Sequence, residues 1–353
     1  MASASVRGPY AWLGIREHPY DPQARFVTSY VLPPLYLALW RTVIALYTFV
    51  TLILVYAFNG VQEFSYFTVL TYWGVWAYHT ISAIQTFSFY WDLRRWSKSQ
   101  SSQDPSIDAE KARSDEDGQY SDKAQSWLSR YFPRPLQFAH SLLFSTICSF
   151  PLIVTIVFWT VLKDGAFDSM RTTWQNLSVH ALNLVFAYLD ILVLGREAMR
   201  PWSHLFFVVF LIACYVGVAY ITYADQHFYT YDFLNQGEHG TGTVAGYVVA
   251  IGVATVVSFL VGQFAIFIRE YVAAKLLPSE GHWGTAQVRS VPDDALVPTK
   301  LGPGPEGEGG RRHNAEDGWR QRLSFDSLSA TPRKRQSIAT DRSRAEHGEI
   351  IEA

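Results

Sequence analysis

Six long apolar runs, nearly free of charged residues, alternate with polar connections along the 353-residue chain. A run of about 18 such residues or more is long enough to cross the hydrocarbon core of a bilayer as an α-helix. The pattern therefore predicts an all-α, polytopic membrane protein built as a bundle of six transmembrane helices. The predicted spans are residues 35–58, 67–91, 136–162, 177–194, 202–223 and 244–268.

Two of the remaining segments differ in composition from the rest. Residues 97–126 are polar and charged, and residues 279–353 are rich in Gly, Pro, Ser and charge. Such segments bury too little apolar surface to offset the entropy of an ordered chain. We therefore expect a disordered inner loop and a disordered C-terminal tail around a membrane domain of residues 35–278, which follows an N-terminal segment of residues 1–34.

The positive charges of the connections predict the orientation. Fifteen Lys and Arg residues lie in the connections on one side, which include the N-terminal segment and the residues after the last span, and two lie on the other side. Cytoplasmic connections carry the excess of positive charge, so both termini are predicted to be cytoplasmic. Arg41 is the exception because it lies about a turn and a half inside the first span. Its long side chain is expected to extend to the membrane interface.

Several classes of chemistry are disfavoured by the sequence. Cys148 and Cys214 both lie inside predicted spans, which gives no disulfide framework. The formal net charge of −2 gives no reason to expect nucleic-acid binding. Histidine pairs with metal-ligand spacing, a Gly-rich phosphate loop and a Gly-x-Ser-x-Gly elbow are missing from the sequence. We therefore expect that the protein holds no metal and no cofactor. Its expected partners are membrane lipids.

The fourth predicted span carries, within it or at its edge, a row of polar residues, the polar seam of Asn176, His180, Asn183 and Asp190. At 100° per residue, Asn176, Asn183 and Asp190 nearly superimpose, and His180 lies one turn from both asparagines. Imidazole and carboxylate groups inside a membrane usually face a partner or a water-filled cavity. The polar seam is either a set of hydrogen bonds to neighbouring helices or part of a functional site.

Thr71 is predicted to lie at the same depth as His180. It follows the start of the second span by about four residues, roughly 6 Å along a helix axis, and His180 follows the start of the fourth by about three. A hydroxyl and an imidazole at one level can pair as nucleophile and base if their helices are neighbours. The alternative is that the Thr71 hydroxyl bonds back to the carbonyl four residues earlier. Asp190 lies about 15 Å below His180, too far to orient its imidazole, so a transport role for Asp190 is a separate hypothesis.

Three short motifs lie in register with the six spans. They are Leu70-Thr71-Tyr72, Asn176-x3-His180-x9-Asp190 and Tyr231-Asp232-Phe233-Leu234. In order and spacing they resemble the androgen-induced-gene family of multipass membrane proteins, and the likeness covers about residues 35–275. The characterised members of that family are six-helix endoplasmic-reticulum threonine hydrolases that act on fatty-acid esters of hydroxy fatty acids.

The resemblance implies roles for individual residues. The family nucleophile corresponds to Thr71, its base to His180, and the preceding asparagine to Asn176. The family has Glu where this chain has Asp190. The segment around His180, Asn183 and Asp190 also resembles the rolling-stone proteins, which are linked to cell fusion and have no settled enzymatic activity.

The resemblance thus implies an integral membrane hydrolase of the endoplasmic reticulum or another endomembrane. Thr71 would attack a lipid ester and His180 would take its proton. Asn176 would orient the imidazole or donate to the oxyanion, while Tyr72, Asn183 and Tyr231 would line the site. The alternative is a non-enzymatic membrane protein that acts as a lipid-binding or fusion-related scaffold.

Overall fold

The computed structural model describes residues 9–15, 20–21, 24–101, 126–198 and 200–276, with the side chains of 96–101 and 276 left out. Most of the predicted inner loop and the whole predicted tail lie outside the described residues. The described part of the chain is helical and contains no strand. The all-α prediction is therefore confirmed for this part.

Six long helices, α1 to α6, make up the described membrane domain. They are Pro34–Asn59, Phe67–Ser101, Arg134–Leu162, Met170–Leu194, Ser203–Gln226 and Gln236–Leu276. Five of them, α1 and α3 to α6, are long and apolar enough to cross a membrane. The prediction of an integral, multipass membrane protein is confirmed by these five helices.

Helix α2 is long enough to span a bilayer but less apolar than the other five helices. Its run of Thr, Tyr, Trp and His side chains lowers its mean hydropathy, and many of these polar groups are buried inside the bundle. It packs along α1 and also contacts α3. Neighbouring helices shield a helix in this position from lipid. Polar side chains on α2 are therefore tolerated because they face protein. The sixth predicted span remains a prediction.

Large apolar side chains cover the outside of the bundle. Leu46, Phe206, Val249 and Phe264 are 60–65% exposed, and they belong to α1, α5 and α6. A band of exposed apolar residues on several helices is unfavourable in water and favourable against lipid chains. The apolar exterior therefore agrees with the membrane class.

We call the end of the bundle where α1 begins and α2 ends the inner end, and the opposite end the outer end. Residues 24–33 pack across the inner end. Phe26 is buried there in an apolar cluster with Phe89 and Leu93 of α2. Nη1 of Arg41 donates to the carbonyl of Phe26 at 2.7 Å. The N-terminal segment thus closes the inner end of the helical bundle.

Helices α3 and α4 depart from regular α-helical geometry in three π-helical turns. They are Phe158–Leu162, Ser178–Leu182 and Asp190–Leu194. Helix α4 begins at Met170, seven residues before the predicted span, because the Ser169 side chain caps the first turn by accepting from the backbone N–H of Thr172. The π-helical turns are important because π-bulges are frequent at functional sites.

Candidate active site

Thr71 lies in the second turn of α2, and its side chain is buried with only 5% of the residue exposed. Its hydroxyl has no hydrogen-bond partner within the described part of the chain. The expected back-bond to the carbonyl four residues earlier, which Thr48 and Thr86 do make, is therefore not formed by Thr71. The hydroxyl is left available to another group.

A cavity of about 450 Å³ adjoins Thr71. Its walls are almost entirely apolar and come from α2, α3 and α5. Leu70, Leu211 and Val218 line it and are also partly exposed on the outer surface of the bundle. An apolar cavity with lipid-exposed walls suits an acyl chain.

His180 lies in the first π-helical turn of α4 and is 8% exposed. Its imidazole stacks on the ring of Phe158, with ring centroids 3.5 Å apart and an interplanar angle of 6°. Nδ1 of His180 has no hydrogen-bond partner among the residues that are described. The Thr155 hydroxyl donates to the His180 carbonyl at 2.7 Å, which ties this turn to α3.

The two candidate catalytic residues lie on helices that pack together. Tyr72 and Val179, the neighbours of Thr71 and His180 in sequence, belong to one buried apolar cluster with Leu52 of α1. The structure therefore brings the start of α2 and the start of α4 together at the outer end. It does not form a direct hydrogen bond between the Thr71 hydroxyl and His180 Nδ1.

The supporting residues predicted from the sequence fall into different surroundings. Asn176 is half-buried, and its Nδ2 donates to the carbonyl of Ala166 at 3.2 Å, so this bond fastens the loop before α4. Asn183 is fully buried; its Nδ2 donates to the carbonyl of Val179 at 3.3 Å, and its Oδ1 has no partner in the described chain. The unpaired Asn183 oxygen lies one turn after His180.

Tyr231 lines a second cavity, of about 220 Å³, whose walls come from the start of α2, from α3, α5 and α6, and from the loop before α6. Its ring stacks on Phe233 at 5.2 Å and meets the edge of Tyr66 at 5.9 Å. Phe158 lines the same cavity. Tyr231 and the Phe158 ring that stacks on His180 therefore line the same cavity.

Arg41 does not extend to the interface, so that expectation was wrong. It is 0% exposed, and Nη2 lies 3.2 Å from Asp190 Oδ2 and 2.8 Å from Glu197 Oε1. Nη1 also donates to the Thr86 hydroxyl at 3.1 Å. Two buried carboxylates neutralise the guanidinium, so the charge remains inside the protein.

Arg269 of α6 completes this group, which we call the inner charge network: Arg41, Asp190, Glu197 and Arg269. Nη1 of Arg269 lies 3.7 Å from Glu197 Oε2 and donates to the carbonyl of Ile191 at 2.8 Å. Burial, together with the nearby Asp190 carboxylate, raises the pKa of Glu197 above its usual value, although the Arg41 and Arg269 guanidinium groups act in the opposite direction. Two cations and two anions balance, and they link α1, α4, α6 and the α4–α5 loop.

Sequence reasoning missed Glu197 because it follows the apolar run and looks like an ordinary loop residue. The available signal was Arg41, since an arginine in a membrane span needs an anionic partner. Asp190 joins α4 to α1 through its ion pair with Arg41, which agrees with the packing alternative for the polar seam. The inner part of the polar seam is thus accounted for by packing.

One further cluster has metal-ligand chemistry. Single ligand atoms of Asp232, Glu238 and His239 lie within 4.8 Å of one another in the loop before α6 and the first turn of α6. Asp232 and Glu238 are exposed, and Nε2 of His239 already pairs with Asp232 Oδ2 at 2.9 Å. Exposed acidic groups often gather in this way without an ion, so the ion pair is a sufficient account of the cluster.

Comparison with known proteins gives no relative for this chain: no protein-family model, curated protein or solved structure matches it.

Proposed function

We propose that the protein is an intramembrane lipid-ester hydrolase in which Thr71 is the nucleophile and His180 the base. The observation that carries this proposal is that the Thr71 hydroxyl and His180 Nδ1 are both buried and both lack a hydrogen-bond partner in the described chain. A buried polar group left unpaired costs about 1–3 kcal/mol, so such groups need an explanation. Two of them on packed helices at one end of the bundle fit a nucleophile and its base.

In the proposed reaction, Thr71 Oγ1 attacks the ester carbonyl carbon as a ring nitrogen of His180 takes the hydroxyl proton. Collapse of the tetrahedral intermediate breaks the ester C–O bond, and the imidazolium returns the proton to the departing alcohol. Water, deprotonated by His180, then attacks the acyl-threonine and releases the fatty acid and the free Thr71 hydroxyl.

The substrate class we propose is an ester with a long acyl chain, such as a fatty-acid ester of a hydroxy fatty acid. The 450 Å³ cavity that Thr71 lines is apolar and has partly lipid-exposed walls. An acyl chain can enter such a cavity from the bilayer without crossing water. The choice of this particular ester rests on the resemblance to the androgen-induced-gene family. The proposal of a long acyl chain rests on the apolar cavity.

We further propose that α2 is a sixth span, that both termini are cytoplasmic, and that the protein resides in the endoplasmic reticulum. The excess of Lys and Arg at the inner end supports this orientation. Glycosylation sequons inserted singly after Asn59 and after His227 should be modified in cells. Modification of a sequon inserted near the N-terminus would contradict the orientation.

The test of the hydrolase proposal is covalent labelling of purified protein by a fluorophosphonate probe, together with hydrolysis of a long-chain ester. Wild type should be labelled, and Thr71→Ala and His180→Ala should each lose labelling and hydrolysis. Thr80→Ala is the matched control because Thr80 lies on the same helix and also has a buried hydroxyl without a described partner. Equal labelling and hydrolysis in wild type and Thr71→Ala would reject the proposal.

The lack of a direct bond between the Thr71 hydroxyl and His180 Nδ1 favours a second candidate, a non-enzymatic lipid-binding or fusion-related scaffold. A scaffold would use the two cavities to hold lipid and would need no hydroxyl at position 71. Thr71→Val keeps the shape of the side chain and removes the hydroxyl. Lipid binding that survives in Thr71→Val, with no hydrolysis by wild type, would favour the scaffold.

A further inference from the structure

Phe158 is the ring contact of His180, and both residues lie in π-helical turns that face each other across α3 and α4. The parallel arrangement at 3.5 Å brings the two ring faces into full contact. Phe158 is itself buried, at 7% exposure, and lines the 220 Å³ cavity. The phenyl ring therefore lies against the imidazole and also forms part of the cavity wall.

An imidazole used as a base is commonly oriented by a carboxylate or a carbonyl that accepts from its second nitrogen. The nearest acidic residue on the same helix, Asp190, is already paired with Arg41 at the inner end. His180 Nδ1 has no partner in the described residues. Packing against Phe158 is thus the contact that can set the plane of the ring.

We propose that Phe158 is a positioning residue, which fixes the plane of the His180 imidazole and screens it from the 220 Å³ cavity. This inference rests on the proposed function for its catalytic consequence. The contact itself has a consequence that does not depend on catalysis. Loss of the phenyl face should expose the imidazole and let it rotate.

Three variants separate positioning from other effects of substitution. Phe158→Leu removes the aromatic face and keeps an apolar side chain. Phe158→Tyr keeps the ring and should restore the wild-type behaviour. Phe233→Leu is the control because Phe233 lines the same cavity and its ring contacts are to Tyr231 and Tyr247.

The first measurement is the rate at which diethyl pyrocarbonate modifies His180 in the full-length purified protein, followed by mass spectrometry of the peptide that contains His180. Phe158→Leu should be modified several-fold faster than wild type, while Phe158→Tyr and Phe233→Leu should match wild type. An unchanged rate in Phe158→Leu, or an equal increase in Phe233→Leu, would overturn the proposal.

The second measurement is ester hydrolysis. Phe158→Leu should lower kcat about tenfold with little change in KM, since ring orientation affects the transition state more than substrate binding. An active Phe158→Leu enzyme with wild-type kcat would also overturn the positioning role. If wild type hydrolyses no ester, the hydrolase proposal fails, and the modification rates alone decide whether Phe158 positions His180.

Discussion

Arg41 and Asp190, 149 positions apart in sequence, form a two-pronged ion pair inside the helical bundle. Nη2 of Arg41 lies 3.2 Å from Asp190 Oδ2, and Nε lies 3.4 Å from Oδ1. Neither side chain is exposed by more than 1%. The pair joins the first and fourth helices, and Glu197 and Arg269 extend it to the α4–α5 loop and to α6.

Asp190→Asn is expected to lower the free energy of unfolding by about 3 kcal/mol, because it removes one charge of a buried ion pair and leaves the other incompletely neutralised. Unfolding in detergent can be followed by the reactivity of the buried Cys148 thiol with a fluorogenic maleimide. Asp92→Asn is the matched control, since its pair with Arg130 is partly exposed and should contribute less than about 1 kcal/mol. Equal effects of the two substitutions would contradict the structural role of the inner charge network.

Gly262→Ala is expected to force α6 away from α3. A Cβ at position 262 would lie 3.0 Å from both the Cβ and the carbonyl oxygen of Cys148, closer than packed atoms normally approach. Overpacking of this kind costs about 1–3 kcal/mol. Gly246→Ala, on the same helix with open space around it, should instead be neutral or stabilise by up to about 1 kcal/mol. Thermal unfolding midpoints of the two variants test the difference, and a more stable Gly262→Ala would be incompatible with this packing.

Gly14→Ala should loosen the N-terminal segment at the inner end. Gly14 has φ +87°, and a Cβ there would overlap the ring of Pro201. Gly60→Ala has the same φ but no neighbour within 4 Å among the described residues, so it reports the backbone strain alone. Limited proteolysis should cleave the first thirty residues faster in Gly14→Ala than in Gly60→Ala. Identical cleavage would show that contact with Pro201 does not hold the segment.

Ala213 and Cys214 are consecutive on α5 and line different cavities. Cys214→Phe should fill part of the 450 Å³ cavity beside Thr71, and Ala213→Phe should fill part of the 220 Å³ cavity. If the acyl chain occupies the cavity that Thr71 lines, Cys214→Phe raises KM for long-chain esters more than for short-chain esters. A larger chain-length effect in Ala213→Phe would assign the acyl chain to the other cavity.

Some features of the candidate site could be predicted from the sequence, and others could not. The predicted common depth of Thr71 and His180 was counted from the start of each apolar run at about 1.5 Å per residue, and it stays a prediction because α4 begins at Met170, seven residues before the predicted start. The sequence does not predict that α2 contacts α4 or that Phe158 stacks on His180, because both contacts depend on which helices become neighbours. The π-helical turns that carry Phe158 and His180 also left no mark in the hydropathy pattern.

The sequence by itself determined the class of protein and the approximate limits of its helices, since hydropathy acts locally and a bilayer fixes the length of a span. Tertiary structure alone decided the partners of the polar groups inside those helices. Arg41 was expected at the interface and is buried, because Asp190 and Glu197 meet it only after α1, α4 and the α4–α5 loop have packed. The solvation of a buried charge depends on groups far away in sequence, so composition places the helices and packing decides where their charges lie.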